Sequence, residues 1–366
     1  MGEPLRIGVV GCGNISDRYL GTLTALPETT VVAVTDLDPA KAAATADRHG
    51  VTAVTPDAFD ELPEVEWVLN LTTPRQHLDV ATRAVRNGRS VYNEKPLCVS
   101  YAEARTLLAA ADDAGVRVAC APDTVLGTGV QSARKVIDDG RIGRPVGASA
   151  TMAVPGHERW HPNPDFYYAE GGGPLLDMGP YYLSALVTLL GPVAAVTGLG
   201  SRSRTERTIG SGSRAGETIP VTVDTHVTAL LRHAGGALTT LVVSFDTAAT
   251  RSANIEVHGE KGSLVVPDPN GFGGEPLLHP VGGGWQPVAE CAGYRDAERG
   301  CGLADIARSA DRATARAGSE LALHVLDVME CILTSAAGEG MPVTTRTGCT
   351  VPEPVPLTAL DTRAPR

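Results

Sequence analysis

The run Arg6-Ile7-Gly8-Val9-Val10-Gly11-Cys12-Gly13-Asn14-Ile15-Ser16 decides the fold. A continuous apolar strand breaks at two glycines. Beyond them Ile15, Tyr19, Leu23 and Leu26 recur at helical spacing. A strand that enters a helix through Gly11-x-Gly13-x-x-Ser16 is a dinucleotide-binding fingerprint with serine in the third place. Gly11 permits the tight turn, and Gly13 lets the backbone approach a pyrophosphate. The helix N-terminus then receives the phosphate charge. The next strand, 31–35, ends at Asp36, 23 residues past Gly13. That is near the ~20 expected for the residue that binds the adenosine ribose. A carboxylate there accepts from both ribose hydroxyls and repels a 2′-phosphate. Leu37 follows in place of an arginine, so NAD is favoured over NADP.

Outward from this run, strand and helix patterns alternate. Asp38-Pro39 supplies an N-cap and a first-turn proline for a helix running toward Gly50. Residues 51–54, 67–71, 90–93 and 116–121 read as strands, with amphipathic helices near 75–87 and 100–114 between them. The second of these opens on the capping box Ser100-x-x-Glu103. The alternation predicts a doubly wound parallel sheet, a Rossmann domain over 1–122. After a helix at 127–140 the chain turns strand-rich: 145–154, 193–200, 221–232, 237–246, 252–258 and 262–266. His233-Ala234-Gly235-Gly236 and Gly259-Glu260-Lys261-Gly262 are hairpin signals. They predict an open, mainly antiparallel sheet in an α+β domain over 123–318, interrupted by one long helix at 174–190. The stretch 201–218 reads as a polar loop with solvated arginines: Arg202, Arg204, Arg207 and Arg214. A last helix, 319–336, is expected to pack back on the first domain, before a polar tail, 337–366.

Composition narrows the class. The 366 residues are 43% hydrophobic, enough for two full cores. The formal net charge of −11 argues against a nucleic-acid or anionic-membrane surface. No apolar run reaches the ~18 residues of a membrane helix, and Met1-Gly2-Glu3-Pro4 opens no signal peptide, so a cytoplasmic protein is expected. Seven cysteines at wide spacing, with no C-x-x-C, propose neither disulfides nor a metal site.

At the end of the fifth strand stands Asn93-Glu94-Lys95-Pro96. Ligands of open α/β sheets bind outside the carboxyl ends of the strands, so Lys95 is placed to exchange a proton with a substrate hydroxyl. In the second domain Asp177 and Tyr181 lie at i and i+4, so one helix face presents both to a ligand. Pro180 between them predicts a kink or a restart of the helix. Capping and core packing are the ordinary alternatives for this pair.

These motifs together resemble the Gfo/Idh/MocA oxidoreductases, over nearly the whole chain. The likeness rests on Gly11-Cys12-Gly13-Asn14-Ile15, Thr73-Pro74-x-x-His77 and Glu94-Lys95-Pro96. It extends through Gly171-Gly172-Gly173-Pro174-Leu175-Leu176-Asp177-Met178-Gly179-Pro180-Tyr181 and Gly259-Glu260-Lys261-Gly262-Ser263. The resemblance implies a catalytic Lys95 followed by a cis proline, an Asp177 that holds substrate hydroxyls, and a Tyr181 acid–base group. Tyr181 stands where inositol dehydrogenases usually carry histidine. A phenol near pKa ~10 needs a cation to act near neutral pH, and Lys95 is the candidate. The alternative is that Lys95 carries the proton and Tyr181 orients the substrate. For the cofactor, the expected contacts are Gly11, Gly13, Asn14, Ile15, Asp36, Thr72, Thr73, Pro74, His77, Glu94, Lys95 and Pro96. His77 has helix packing as its ordinary alternative.

Of fifteen aromatics, six fall within 160–182: Trp160, Phe166, Tyr167, Tyr168, Tyr181 and Tyr182. They are interleaved with His, Glu, Arg, Asn and Asp, which suits a sugar or cyclitol ring better than a closed apolar plug. Trp160 and His161 are the first choices for the substrate wall, ahead of His157 and Glu158. Asp123, at the crossing between domains, either faces the substrate or caps the helix that follows it. The reading is an NAD-dependent oxidoreductase that moves hydride between nicotinamide and a sugar, glycoside or cyclitol carbon. Its open sheet face predicts a homodimer or homotetramer. Two alternatives share the fold: an NAD-dependent glycosidase working by oxidation and elimination, and a non-enzymatic sugar sensor.

Overall fold

The computed structural model describes residues 3–309 and 315–360. The chain divides into two compact units. One takes residues up to 128, then 292–323 and 352 onward; the other takes 129–291 and 324–351.

The first unit begins β1 (Leu5–Val10), α1 (Ser16–Ala25), β2 (Thr29–Thr35), α2 (Pro39–His49), β3 (Thr52–Ala53) and α3 (Pro56–Asp60). It continues β4 (Trp67–Asn70), α4 (His77–Arg86), β5 (Ser90–Asn93), α5 (Tyr101–Ala114) and β6 (Val118–Cys120). The sheet is wholly parallel, in the order β3-β2-β1-β4-β5-β6. The strand order reverses at β1, the place where open α/β sheets bind their ligands. Local chemistry sets the elements. The Asp38 carboxylate accepts from Ala40 N–H ahead of Pro39, and α2 ends on a left-handed Gly50. Ser100 Oγ accepts from Glu103 N–H as a capping box requires, while the Glu103 carboxylate reaches Val99 N–H rather than that of Ser100.

The second unit contains most of α6 (Thr128–Asp138), then β7 (Pro145–Ala153), α7 (Pro174–Leu190), β8 (Val193–Ser201), β9 (Glu206–Thr208) and β10 (Thr218–Pro220). There follow β11 (His226–His233), β12 (Leu238–Ser244), β13 (Ile255–Gly259), β14 (Gly262–Val266), β15 (Leu277–Pro280) and β16 (Gln286–Pro287). Its sheet runs β16-β15-β14-β13-β7-β12-β11-β8. Every pair is antiparallel except β12 with β7, so the mainly antiparallel reading is right for all neighbours but one. One face is buried, as at Val257, Leu264 and Leu278, and α7 packs against β7, β11 and β12. The opposite face exposes Leu199, Leu230 and Leu238. Helix α7 is uninterrupted from Pro174 to Leu190 with Pro180 inside it, so the predicted restart does not occur.

Past this sheet come β17 (Tyr294–Arg295), α8 (Cys301–Arg308), α9 (Ser319–Ala337), β18 (Val343–Thr344) and β19 (Thr358–Ala359). Three expectations need correction here. First, α8 belongs to the nucleotide unit, where Leu303 and Ile306 join the core of Leu5, Ile7, Tyr19 and Leu69. An eight-residue helix after a long strand-rich stretch leaves no periodicity that assigns it to either domain. Second, from His324 on, α9 belongs to the second unit. His324 Nε2 accepts from Val193 N–H, and Ser335 Oγ accepts from Gly198 N–H. Third, the tail is built in: β18 joins the edge of β8 and β19 pairs with β17. Residues 361–366 of that tail lie outside the described residues.

Candidate functional site

In the first unit a cavity of about 460 Å³ opens at the carboxyl ends of β1, β2 and β4, lined by Gly11, Gly13, Asp36, Thr72, Thr73 and Gln76 among others. Gly11 has φ 102°, and a Cβ there would sit 2.8 Å from the Leu71 carbonyl, so glycine is required. A Cβ at Gly13 would meet nothing within 4 Å, because it would point into open space. Helix α1 begins without a side-chain cap, so no side chain stands between an anion and its N-terminus, although Ser16 N–H and Arg18 N–H already donate to Gly13 O and Ile15 O. Asp36 is fixed by two amides: Oδ2 accepts from Cys12 N–H and Oδ1 from Asp38 N–H, both at 2.8 Å. Open backbone at Gly13, uncapped amides at α1 and a fixed carboxylate at the end of β2 fit the pyrophosphate and adenosine ribose of NAD. Asn14 and Ile15 form the turn into α1.

The carboxyl ends of β4 and β5 are tied together by buried side chains. Asn70 Nδ2 donates to Asn93 Oδ1 at 2.9 Å, and Thr72 Oγ1 donates to Asn70 Oδ1 at 2.6 Å. His77 lies between two carbonyls, with Nδ1 2.7 Å from Pro96 O and Nε2 3.1 Å from Thr72 O. It is fully buried, and burial holds its pKa below the ordinary 6.5 against the raising effect of those carbonyls. A buried ring so placed is a clip between two loops, donating to one carbonyl while neutral and to both only when protonated. The packing alternative for His77 therefore holds, and the cofactor-contact expectation does not. Glu94 is similarly turned inward: Oε1 accepts from the buried Tyr19 hydroxyl at 2.9 Å, and Oε2 from Lys95 N–H at 2.7 Å. Its carboxylate shapes the turn that carries Lys95 instead of touching a cofactor. The Lys95–Pro96 peptide is cis.

Asp123 is also corrected. It is fully buried, and its Oδ2 accepts from Gly300 N–H at 2.8 Å and Gly302 N–H at 3.1 Å. It caps α8, whose first residue Cys301 lies 178 residues further along the chain, and is not available to a substrate. Burial raises its carboxyl pKa, opposed by Arg299 and the two amides.

In the second unit α7 carries Asp177 and Tyr181 one turn apart on an unbroken helix. Asp177 Oδ2 lies 3.1 Å from Nε2 of His157. The imidazole stands edge-on to Trp160 and Tyr167 and tilted against Phe245, with centroids 5.2, 4.7 and 4.5 Å away. His161 meets Trp160, Phe166 and Tyr167 at 5.4–5.5 Å. Its Nδ1 accepts from Asn163 N–H, and burial lowers its pKa. Trp160 is 58% exposed, an apolar face turned to solvent. The structure thus joins Trp160, His161 and Asp177 in one cluster, and His157, ranked second by sequence, is the residue that links them. Glu158 is buried against Arg207 and belongs to the scaffold. Arg207 itself is a correction: it sits in β9 at 3% exposure, while Arg214 pairs with Asp165 and Glu217, and Arg202 donates to Val221 O. The β-branched Thr205, Thr208 and Ile209 held a strand signal that the Ser and Gly content obscured.

Residues 5–121 match the oxidoreductase family with an NAD-binding Rossmann fold, and residues 130–265 match the Gfo/Idh/MocA C-terminal domain. The chain belongs to the Gfo/Idh/MocA oxidoreductase family, and NAD is its cofactor. It is 26% identical to the inositol 2-dehydrogenase of Rhizobium meliloti (strain 1021) over 262 residues, 72% of this chain and 75% of that one. It is 34% identical to the dTDP-3,4-didehydro-2,6-dideoxy-alpha-D-glucose 3-reductase of Streptomyces violaceoruber over 215 residues, 58% of this chain and 62% of that one. The crystal structure of an NAD-binding oxidoreductase from Klebsiella pneumoniae matches with a TM-score of 0.79 at 23% identity, over 93% of this chain and 99% of that one. At that identity the likeness speaks to the fold.

Proposed function

We propose that the protein is a dehydrogenase or ketoreductase acting on a secondary alcohol or ketone carbon of a sugar, glycoside or cyclitol. The observation that carries this reading is the cradle of Gly11, Gly13 and Asp36, with the Lys95 turn clipped two strands away by His77 and Glu94. NAD supplies the hydride acceptor at its nicotinamide ring, and NADH the donor in the reverse direction. Gly11, Gly13 and the first amides of α1 hold the pyrophosphate, Asp36 the ribose, and Thr72 and Thr73 the wall of the cleft. Lys95 takes the hydroxyl proton as hydride leaves the carbon and returns it in reduction. On α7, Tyr181 is the second acid–base candidate or orients the hydroxyl. Asp177 accepts a hydrogen bond from a neighbouring hydroxyl, and Trp160 with His161 lies along the ring face.

The test is NADH absorbance on incubating the protein and NAD with inositols, hexoses and glycosides, beside Lys95→Ala. NADH formed from one class and absent with the variant supports the reading. A released aglycone without NADH assigns the glycosidase chemistry instead.

The exposed face at Leu199, Leu230 and Leu238 is the surface on which a second copy is expected. A monomer by light scattering at micromolar concentration contradicts that. No helix among the described residues is long and apolar enough to cross a membrane, and all seven cysteines are free thiols. A reducing, cytoplasmic location accompanies the reading.

A further inference from the structure

Arg207 lies in a segment whose composition suggests a solvated loop, yet its side chain is 1% exposed. Nη1 stands 3.0 Å from Glu158 Oε1, Nη2 pairs with Asp246, and the guanidinium carbon is 5.2 Å from the Tyr168 ring centroid. The Tyr168 hydroxyl, also buried, donates to Glu158 Oε2 and accepts from His157 N–H at 3.0 Å. His157 then reaches Asp177. A continuous path therefore runs from Asp246 just past β12, through Arg207 on β9 and Glu158, to Tyr168, His157 and α7. There is no slack beside it: a Cβ at Gly156 would lie 2.2 Å from Glu158 Oε2 and 2.8 Å from Tyr168 Oη.

Burying three charges in this way is poor value for stability alone, because apolar residues of similar volume commonly do as well. What the arrangement supplies is position. The guanidinium fork fixes the Glu158 carboxylate, that carboxylate fixes the tyrosine hydroxyl, and the hydroxyl holds the main chain of the residue whose imidazole meets Asp177.

We propose that Arg207 is a positioning residue of the candidate site: through Glu158 and Tyr168 it sets the His157 main chain so that the imidazole engages Asp177. The part played by Asp177 toward substrate rests on the dehydrogenase reading; the linkage rests on geometry alone. Tyr168→Phe removes one hydroxyl and keeps the ring. Arg207→Lys keeps the charge and loses the fork.

The first measurement is the imidazole ¹⁵N spectrum of the full chain labelled at histidine, with His157 assigned through His157→Gln. Both variants are expected to move the His157 resonances and leave those of His77 in place. His157 resonances unchanged in Tyr168→Phe overturn the proposal, and that variant decides alone if circular dichroism shows Arg207→Lys misfolded. The second measurement is turnover with myo-inositol, D-glucose and methyl glucoside. Tyr168→Phe is expected to lower kcat/KM roughly tenfold through KM for the alcohol, the effect of one lost hydrogen bond to a charged group, with KM for NAD unchanged. An equal loss in both KM values indicates general damage to the fold and counts against positioning. If the wild type oxidises none of the probes, the dehydrogenase reading fails on them, and the spectrum still decides the role of Arg207.

Discussion

His157 Nε2 stands 3.1 Å from Asp177 Oδ2, with both side chains about one-seventh exposed. One comes from a turn after β7, the other from the first turn of α7. The pair ties one carboxylate oxygen to the imidazole and so orients the carboxylate. Asn at 177 keeps the shape and removes the charge. Asp177→Asn is therefore expected to reduce kcat/KM for the alcohol by about 10²-fold or more, in the range of a positioned charged group. The dissociation constant of NADH, read by fluorescence, is expected to stay within twofold, since Asp177 lies outside the nucleotide unit. A parallel loss of NADH affinity contradicts the assignment.

Asp36 is oriented by Cys12 N–H and Asp38 N–H before any ligand arrives. A preset carboxylate loses little freedom on binding the ribose, and hydrogen bonds to a charged acceptor are worth about 1.5–3 kcal/mol. Asp36→Ala is expected to weaken NAD binding roughly 10–100-fold and to narrow the preference over NADP, because the charge that repels a 2′-phosphate is gone. Titration calorimetry with both nucleotides checks this. Unchanged discrimination places the specificity elsewhere.

The two glycines of the first turn separate folding from binding. Gly11→Ala sets a Cβ 2.8 Å from the Leu71 carbonyl at φ 102°, so it is expected to destabilise the nucleotide unit by about 1–3 kcal/mol. At Gly13 a Cβ has open space within 4 Å, so Gly13→Ala is expected to leave the melting temperature nearly unchanged. That methyl enters the cleft, so NAD affinity is the property lost. Thermal melts with and without NAD distinguish the two variants.

What the sequence made legible follows from distance along the chain. The parallel Rossmann sheet and the Gly11–Asp36 cradle are spelled by neighbours near one another in the chain, and periodicity reads those. The long helix was placed to the residue at both ends but not through Pro180, whose effect depends on what surrounds the helix. The Asp177–Tyr181 spacing was visible because it is local. His157 was visible as a residue but not as the partner of Asp177, since nothing in sequence says which turn meets which helix. Arg207 and Asp123 were misread for one reason. Each is charged and, on average, such residues are solvated or face a site, whereas here Glu158 with Asp246, and the amides of α8, hold them inside the protein, with Arg207 Nε and Asp123 Oδ1 left without a hydrogen bond among the described residues.

Two buried imidazoles give stability a pH dependence of definite sign. His77 sits between the Pro96 and Thr72 carbonyls, and His233 between Gly191 O and Thr239 Oγ1. Burial lowers both pKa values from 6.5, against the raising effect of the carbonyls. Below pH 6.5 the unfolded chain takes up protons that these rings in the folded chain do not, so stability falls as the solution is made more acid. The loss continues down to the depressed folded values. While it lasts, each histidine contributes a slope of up to about 1.4 kcal/mol per pH unit. Urea midpoints are therefore expected to be flat above about pH 7.5 and to drop between pH 6.5 and 5.5. His77→Gln removes one of the two titrating rings, so its midpoint is expected to start lower, for want of the clip, and to fall less steeply over the same interval. A slope equal to that of the wild type shows that His77 is as protonated folded as unfolded, with both ring nitrogens donating to the two carbonyls, and contradicts a lowered pKa.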